Sequence, residues 1–256
     1  MAKSSRRMLA AGLVLLFATV APAQDLSVAA ASDLQFALQE IAARFQKETG
    51  HAVKLTFGSS GNFFAQIQNG APFDLFFSAD IDYPRRLAAA GLAEPDTLYE
   101  YATGKLVLWV PKDSKLDLSR GLEVLLDPAV GKIAIANPEH APYGRAAVAA
   151  LKSEGLYDKV AGKFVLGENI SQTASFVVSG AADAGIVALS LALAPSLKDR
   201  GRYAPLPAAD YPAIAQAAVV MKSSAKKDLA RQFMAYLKTP DSQAVLQSYG
   251  FSLRGK

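Results

Sequence analysis

Short apolar runs and helical stripes alternate along almost the whole chain, and this alternation limits the fold more than any other feature. Leu26–Ala31 is a β-like run. Leu34, Ala37, Leu38, Ile41, Ala42 and Phe45 then recur on one helical face, and Thr49-Gly50 closes the helix. Ala52–Phe57 is extended again, Gly58-Ser59-Ser60-Gly61 breaks the chain, and a short helix carries Phe64 and Ile67. Phe73–Phe77 reads as a buried strand and Asp82–Ala90 as a helix stopped by Gly91. The second half repeats the style with strands at Leu106–Val110, Lys132–Ala136, Phe164–Leu166, Gly185–Leu189 and Ile214–Met221. Helices follow the loops Asn137–Gly144 and Gly167–Ser171, and two more, Ala225–Leu237 and Asp241–Ser248, end the chain. Strand and helix in alternation predict an α/β fold with mostly parallel sheets. No polar linker separates the halves, so two lobes should be joined by chain crossovers on strands, with the ligand cleft between them.

The N-terminus stands apart. Lys3, Arg6 and Arg7 precede the apolar stretch Met8–Val20, and Ala21-Pro22-Ala23 offers an A-x-A cleavage site. The stretch is well short of the ~20 residues that span a bilayer, so residues 1–23 read as a cleaved signal peptide. No later run is long and apolar enough for a membrane span. The formal charge of +4 comes from 27 basic and 23 acidic residues, and three of the bases lie in this leader. The mature chain is close to neutral, which removes the electrostatic case for nucleic-acid binding. With no cysteine there is no disulfide, thiolate site, cysteine nucleophile or lipid attachment point, and two histidines, His51 and His140, make a His-rich metal site a poor reading.

A strand followed by a small or hydroxyl residue at a helix start recurs at Ala31-Ser32-Asp33, Ser59-Ser60-Gly61, Pro142-Tyr143-Gly144 and Ile170-Ser171. Helix starts present unpaired N–H groups and partial positive charge, so several of them at strand ends point to an anion or a small polar ligand. Competing chemistries fail on spacing. Gly58-Ser59-Ser60-Gly61 lacks the Gly-Lys-Ser/Thr ending of a phosphate loop, and Asn62 stands where a G-x-S-x-G elbow needs glycine. Ser223-Ser224-Ala225-Lys226 matches S-x-x-K without its companion motifs and reads as a solvated helix start. Asp74 and Asp80 read as turn caps or lobe-closing groups, Trp109 as core, and the two histidines as surface residues. A hydrolase or transferase built on a bilobal fold, with Ser60 as nucleophile, is the alternative from another class; residues 58–64 supply no base for it.

Taken together, the strings Ala-Ala-Ala-Ser-Asp-Leu at 29–34, Phe-Gly-Ser-Ser-Gly-Asn at 57–62 and the run from Gln66 to Asp80 resemble the periplasmic molybdate-binding proteins of ABC transporters. So do Ile-Ala-Asn-Pro-Glu-His-Ala-Pro-Tyr-Gly at 135–144, Gly-Glu-Asn-Ile-Ser-Gln at 167–172, Ala-Gly-Ile-Val-Ala at 184–188 and Tyr249-Gly250-Phe251. The resemblance covers the mature chain in order. It implies a type II periplasmic binding fold, two α/β lobes closing on one tetrahedral oxyanion, with 24–104 and 212–256 as lobe 1 and 105–211 as lobe 2. It implies capture of molybdate, and of tungstate with it, for an inner-membrane ABC permease by a periplasmic monomer with no enzymatic activity and no cofactor. Sulfate is the alternative ligand within the class.

Site residues carry over position by position. Ser32 and Ser60 are similar to the two serines that face the anion, and Tyr143 and Ile170 stand where backbone N–H groups donate from the second lobe. Asp33 and Ser59 are secondary candidates. The ion would be held as an oxyanion, with no direct ligand to the metal. Where many members carry a tyrosine that reaches the anion this chain has Ala188, and the Tyr143 ring is the candidate to fill that gap. A donor-only pocket suits a doubly charged acceptor, whereas an ionised carboxylate repels it. Each helix terminus adds roughly 0.3–1 kcal/mol and each charged hydrogen bond about 1.5–3 kcal/mol. Six or seven such donors reach the gross energy of a sub-micromolar complex before ordering costs.

Overall fold

The computed structural model describes residues 25–253, so the signal-peptide reading of 1–23 lies outside the described residues. The chain begins with β1 (Leu26–Ala31), a short 3-10 turn Ser32–Leu34 and α1 (Gln35–Thr49). Then come β2 (Val53–Gly58), α2 (Ser60–Gln68), β3 (Leu75–Ser78), α3 (Asp82–Ala89), β4 (Tyr99–Gly104) and β5 (Leu106–Pro111). The second half holds β6 (Ile133–Ala136), α4 (Pro142–Ser153), α5 (Tyr157–Val160), β7 (Phe164–Gly167), α6 (Ile170–Val178), β8 (Ala184–Ala188) and α7 (Leu189–Ala192). It closes with β9 (Gly201–Pro205), β10 (Ile214–Val220), α8 (Lys227–Leu237) and α9 (Pro240–Ser248).

The strands form two five-stranded sheets, ordered β2-β1-β3-β10-β4 and β7-β6-β8-β5-β9. The fold is α/β with two lobes, as the alternation predicts. The expectation of mostly parallel sheets needs correction: β1 pairs parallel with β2 and β3, but β10 runs antiparallel between β3 and β4. The second sheet repeats the arrangement, with β6 parallel to β7 and β8 but β5 antiparallel to β8 and β9. The reason is connectivity. β4 and β5 are separated only by Lys105, so the chain leaves one sheet and enters the next along an almost continuous strand. β10 brings it back after the irregular segment 206–213, and a strand arriving from the other lobe runs opposite to strands built by right-handed βαβ turns. β4 and β9 have no apolar run of their own: Tyr203 in β9 is exposed, and β4 alternates as YEYATG.

Each sheet is sandwiched by helices. The predicted stripe of α1 buries Ala37, Leu38, Ile41, Ala42 and Phe45 against the first sheet, and Phe45 meets Phe233 of α8 edge-on at 5.1 Å. Gly50 ends α1 at φ 77°, a left-handed conformation that glycine adopts without penalty. Trp109 is core, as expected, on the second sheet. α8 begins at Lys227 rather than Ala225, because Ser224 is drawn inward: its hydroxyl donates to Asp74 Oδ1 at 2.6 Å and its oxygen accepts from Lys226 N. Ser224 is therefore a buried turn residue and not a solvated helix start.

Candidate oxyanion site at the lobe junction

Four helical starts point at one small void. Ser32 follows β1 and opens the 3-10 turn that feeds α1; Ser59 and Ser60 follow β2 and open α2. Across the cleft, Pro142 and Tyr143 open α4 after β6, and Ile170 opens α6 after β7. All four starts lie beyond the C-terminal ends of the parallel strands, where α/β sheets leave a crevice. The void is tight in this closed state, with a cavity volume of about 10 Å³, and is lined by Ser32, Asp33, Ser59, Ser60, Tyr143 and Ile170, with Ala31, Gly58, Ala79, Ala141 and Pro142. No lysine or arginine lines it.

The two principal serines are set as donors. Ser60 Oγ accepts a hydrogen bond from Ala79 N at 2.9 Å, and Ser32 Oγ accepts one from Ser171 N at 3.3 Å. In each case a lone pair is engaged by backbone and the hydroxyl proton is left to donate. Both residues are buried. Tyr143 and Ile170 sit in the first turns of α4 and α6, where a backbone N–H has no acceptor within its own helix. Residue Ala141 precedes α4 and provides no cap, although a serine or aspartate there would contribute about 1 kcal/mol. Ser59, at the N-cap of α2, does not cap it either: its hydroxyl donates to the His140 carbonyl. Ser59 thus lines the void but commits its proton to joining the lobes.

That bond is one of a set that holds the cleft shut. Gly61 N donates to His140 O at 2.9 Å, and His140 Nδ1 lies 3.0 Å from Ser59 Oγ. Ser171 Oγ lies 2.9 Å from the Ser32 carbonyl and 3.1 Å from Gln35 Oε1, and Ser190 Oγ donates to the Asp33 carbonyl at 2.8 Å. At the rim Arg145 pairs with Asp80 at 2.6 Å and leans on the Tyr83 ring. Asp80 is therefore a lobe-closing residue, one of the two roles expected for it; Asp74 instead accepts from Ser27 N and Ser224 within the first lobe. His140 is a correction: it is an interlobe contact rather than a surface histidine, with Nε2 3.5 Å from Glu168. It faces Ser59 and not Ser60, so the nucleophile of the hydrolase alternative has no base in contact with it.

Behind the serines lies a buried polar cluster. Tyr143 OH donates to Asp33 Oδ2 at 2.9 Å, and Gln216 Nε2 donates to the same oxygen at 2.6 Å. Tyr101 OH donates to Gln216 Oε1 at 2.7 Å and so fixes the amide. Burial pushes the Asp33 carboxyl up to about 6, even though the bonds from Gln216 and Tyr143 pull the other way. Burial, together with the Asp33 carboxylate, holds the Tyr143 and Tyr101 phenols well above their ordinary range, so both remain donors. Asp33 Oδ1 is buried and has no hydrogen-bond partner. The Tyr143 ring reaches toward Gly104, where a Cβ would run into its hydroxyl, so β4 needs glycine there. Ala188 is buried at the end of β8, opposite Leu106. The Tyr143 hydroxyl is engaged by Asp33 and Gln216 and does not stand in for the donor absent at Ala188.

The structure brings Ser32, Asp33, Ser59, Ser60, Tyr143 and Ile170 to one void. Sequence reading missed Ser190, Gln216 and Tyr101, and it marked Ser171 as part of a helix start without naming it as a site residue. Ser171 carried a signal, since it follows Ile170 at the helix start; Gln216 carried one too, as an isolated polar residue inside the apolar run Ile214–Met221. Among the described residues, no cluster of three or more His, Asp or Glu could hold a metal ion, and no helix is long and apolar enough to cross a membrane.

Comparisons with known proteins agree with this geometry. Residues 26–252 match the model of the family described as bacterial extracellular solute-binding protein. The molybdate-binding protein ModA of Azotobacter vinelandii is 38% identical over 250 residues, covering 98% of each chain. ModA of Rhodobacter capsulatus is 36% identical over 242 residues, covering 94% of each. The solved Azotobacter vinelandii periplasmic molybdate-binding protein superposes with a TM-score of 0.84 at 41% identity, over 89% of this chain and 99% of that one. The chain is a member of the bacterial extracellular solute-binding protein family.

Proposed function

We propose that this protein captures molybdate, and tungstate with it, in the periplasm and hands the anion to an inner-membrane ABC permease. It acts as a binding protein and catalyses no reaction. The observation that carries the reading is the donor set: two buried serine hydroxyls with their oxygens already engaged, and first-turn N–H groups from α4 and α6, all around one void without a basic side chain. Ser32 and Ser60 donate from one lobe, and the N–H groups of Tyr143 and Ile170 from the other. Charge is balanced by helix termini and hydrogen bonds, so no counter-ion or cofactor is needed. The similarity to the ModA proteins supports molybdate within the oxyanion class.

The lobes divide as 24–104 with 212–256 and 105–211, which puts each five-stranded sheet in one lobe. Residues 1–23 serve as the export signal, and the mature chain works as a monomer. Contacts from both lobes to the ligand add to the direct interlobe bonds and favour the closed state. Calorimetric titration of the mature protein with molybdate, tungstate, sulfate and phosphate tests the assignment. Molybdate and tungstate should bind with sub-micromolar affinity and sulfate at least a hundredfold more weakly, a difference of about 2.7 kcal/mol. Equal affinity for sulfate overturns the choice of ligand.

A further inference from the structure

Asp33 poses a difficulty for the donor-only pocket: an acidic residue is among those lining the cavity that is to receive a doubly charged anion. The groups around it show how the difficulty is resolved. Tyr143 from α4 and Gln216 from β10 both donate to Oδ2, Tyr101 from β4 orients Gln216, and Ser190 from α7 donates to the Asp33 backbone carbonyl. No lysine, arginine or histidine hydrogen-bonds this carboxyl. Oδ2 is thus an acceptor twice over, while Oδ1 is buried and makes no hydrogen bond, with only the Asp33 and Leu34 backbone N–H groups near the carboxyl to favour its ionised form. A carboxylate leaves Oδ1 as an unsatisfied buried acceptor; a carboxylic acid makes Oδ1 a donor in need of an acceptor, and an oxyanion entering the adjacent void is one.

We propose that Asp33 takes up one proton when the oxyanion binds, and that the closed site holds the dianion beside a neutral carboxylic acid protonated at Oδ1. The inference rests on the oxyanion reading above. The proton comes from solvent or buffer and forms an O–H bond on Oδ1; the anion itself loses and gains nothing. Burial already holds this carboxyl up to about 6, and a dianion in the void raises it further. Binding is therefore coupled to pH. Where free Asp33 is ionised and bound Asp33 is protonated, affinity falls by up to about tenfold for each unit of rising pH. Asp33→Asn copies the protonated form: its amide oxygen can accept from Tyr143 and Gln216 while its NH₂ donates.

The test is calorimetric titration with sodium molybdate at about pH 8, in buffers of different ionisation enthalpy, which gives the affinity and the protons taken up in one experiment. Wild type should take up close to one proton per anion. Asp33→Asn should take up none, keep an affinity constant within about twofold between about pH 7 and about pH 8.5, and bind more tightly than wild type at the upper end. His140→Asn, at the other titratable residue near the serines, should retain the uptake. Tight binding by wild type without proton uptake overturns the proposal, and that result stands even if Asp33→Asn does not fold. Unchanged uptake in Asp33→Asn, or its loss in His140→Asn, also overturns it by moving the proton elsewhere. Absence of molybdate binding by wild type refutes the oxyanion reading instead, and this inference falls with it.

Discussion

Gly61→Ala separates lobe closure from folding. Gly61 is the second residue of α2, and its N–H donates across the cleft to His140 O at 2.9 Å. A Cβ built there would lie 2.5 Å from that same carbonyl oxygen and 2.9 Å from the Tyr83 hydroxyl. Carbon and oxygen approach no closer than about 3.3 Å in ordinary contacts, so the lobes must part by roughly 0.8 Å. That stretches the Gly61–His140 bond past hydrogen-bond range and lengthens the bond from the Ser59 hydroxyl to the same carbonyl beyond its ordinary O–H···O distance. One neutral bond lost and a second weakened, at about 0.5–1.5 kcal/mol each, give a loss of about 0.5–3 kcal/mol in the closed state, or about twofold to 150-fold in affinity. The open state keeps only the close approach to the Tyr83 hydroxyl in the same lobe, which a small shift of that side chain relieves, and alanine is the better helix former by up to about 1 kcal/mol. Calorimetry should therefore show weaker molybdate binding, while melting without ligand shows equal or higher stability. Unchanged affinity refutes the closure argument. Equal destabilisation with and without ligand means that the lobes are shut regardless of the anion.

Other expectations follow from the same contacts. Ser32→Ala with Ser60→Ala removes two charge-assisted donors at about 1.5–3 kcal/mol each and should cost roughly two to four decades in molybdate affinity by calorimetry; a loss under tenfold contradicts their role. The folded Asp33 carboxyl sits at about 6 against 3.8 for the ordinary group, so its contribution is a penalty. That penalty is absent below the unfolded value, grows as pH rises through the interval, and reaches roughly 3 kcal/mol above about pH 6. Asp33→Asn should accordingly be more stable than wild type by chemical denaturation at about pH 8, with the difference vanishing near about pH 4. Arg145→Ala removes a half-exposed rim pair with Asp80 and should weaken binding by up to about fivefold, less at high salt; a larger effect means that the pair is more than a rim contact.

The parts of this protein that were legible in its sequence are those set by local periodicity. The α1 stripe, the glycine that ends it and the buried run of β1 each follow from a dozen residues or fewer. The hydroxyl-bearing helix starts were visible for the same reason, since a strand, a break and a new period leave a local mark. Strand direction was not. β5 and β10 look like any buried strand, and their antiparallel placement depends on the chain crossing between lobes, which no local window contains. β9 escaped because an edge strand with Tyr203 exposed carries little apolar signal. The Asp33–Gln216 contact joins residues 183 positions apart, and that between Asp33 and Tyr143 spans 110. Nothing near Asp33 in the chain says that its carboxyl is buried. His140 was misread for a related reason: a Pro-rich loop reads as surface, but the opposite lobe covers it.

The central claim is that one anion sits between the four helix starts and is held from both lobes. A crystal of the mature protein grown with molybdate, with diffraction recorded on both sides of the molybdenum absorption edge, tests it most directly. The account predicts one anomalous peak per chain, in the void between Ser32, Ser60, Tyr143 and Ile170, with both serine oxygens and both backbone nitrogens in hydrogen-bond range, about 2.7–3.2 Å, of the anion. A peak at the Arg145–Asp80 rim, or contacts from one lobe alone, would contradict it.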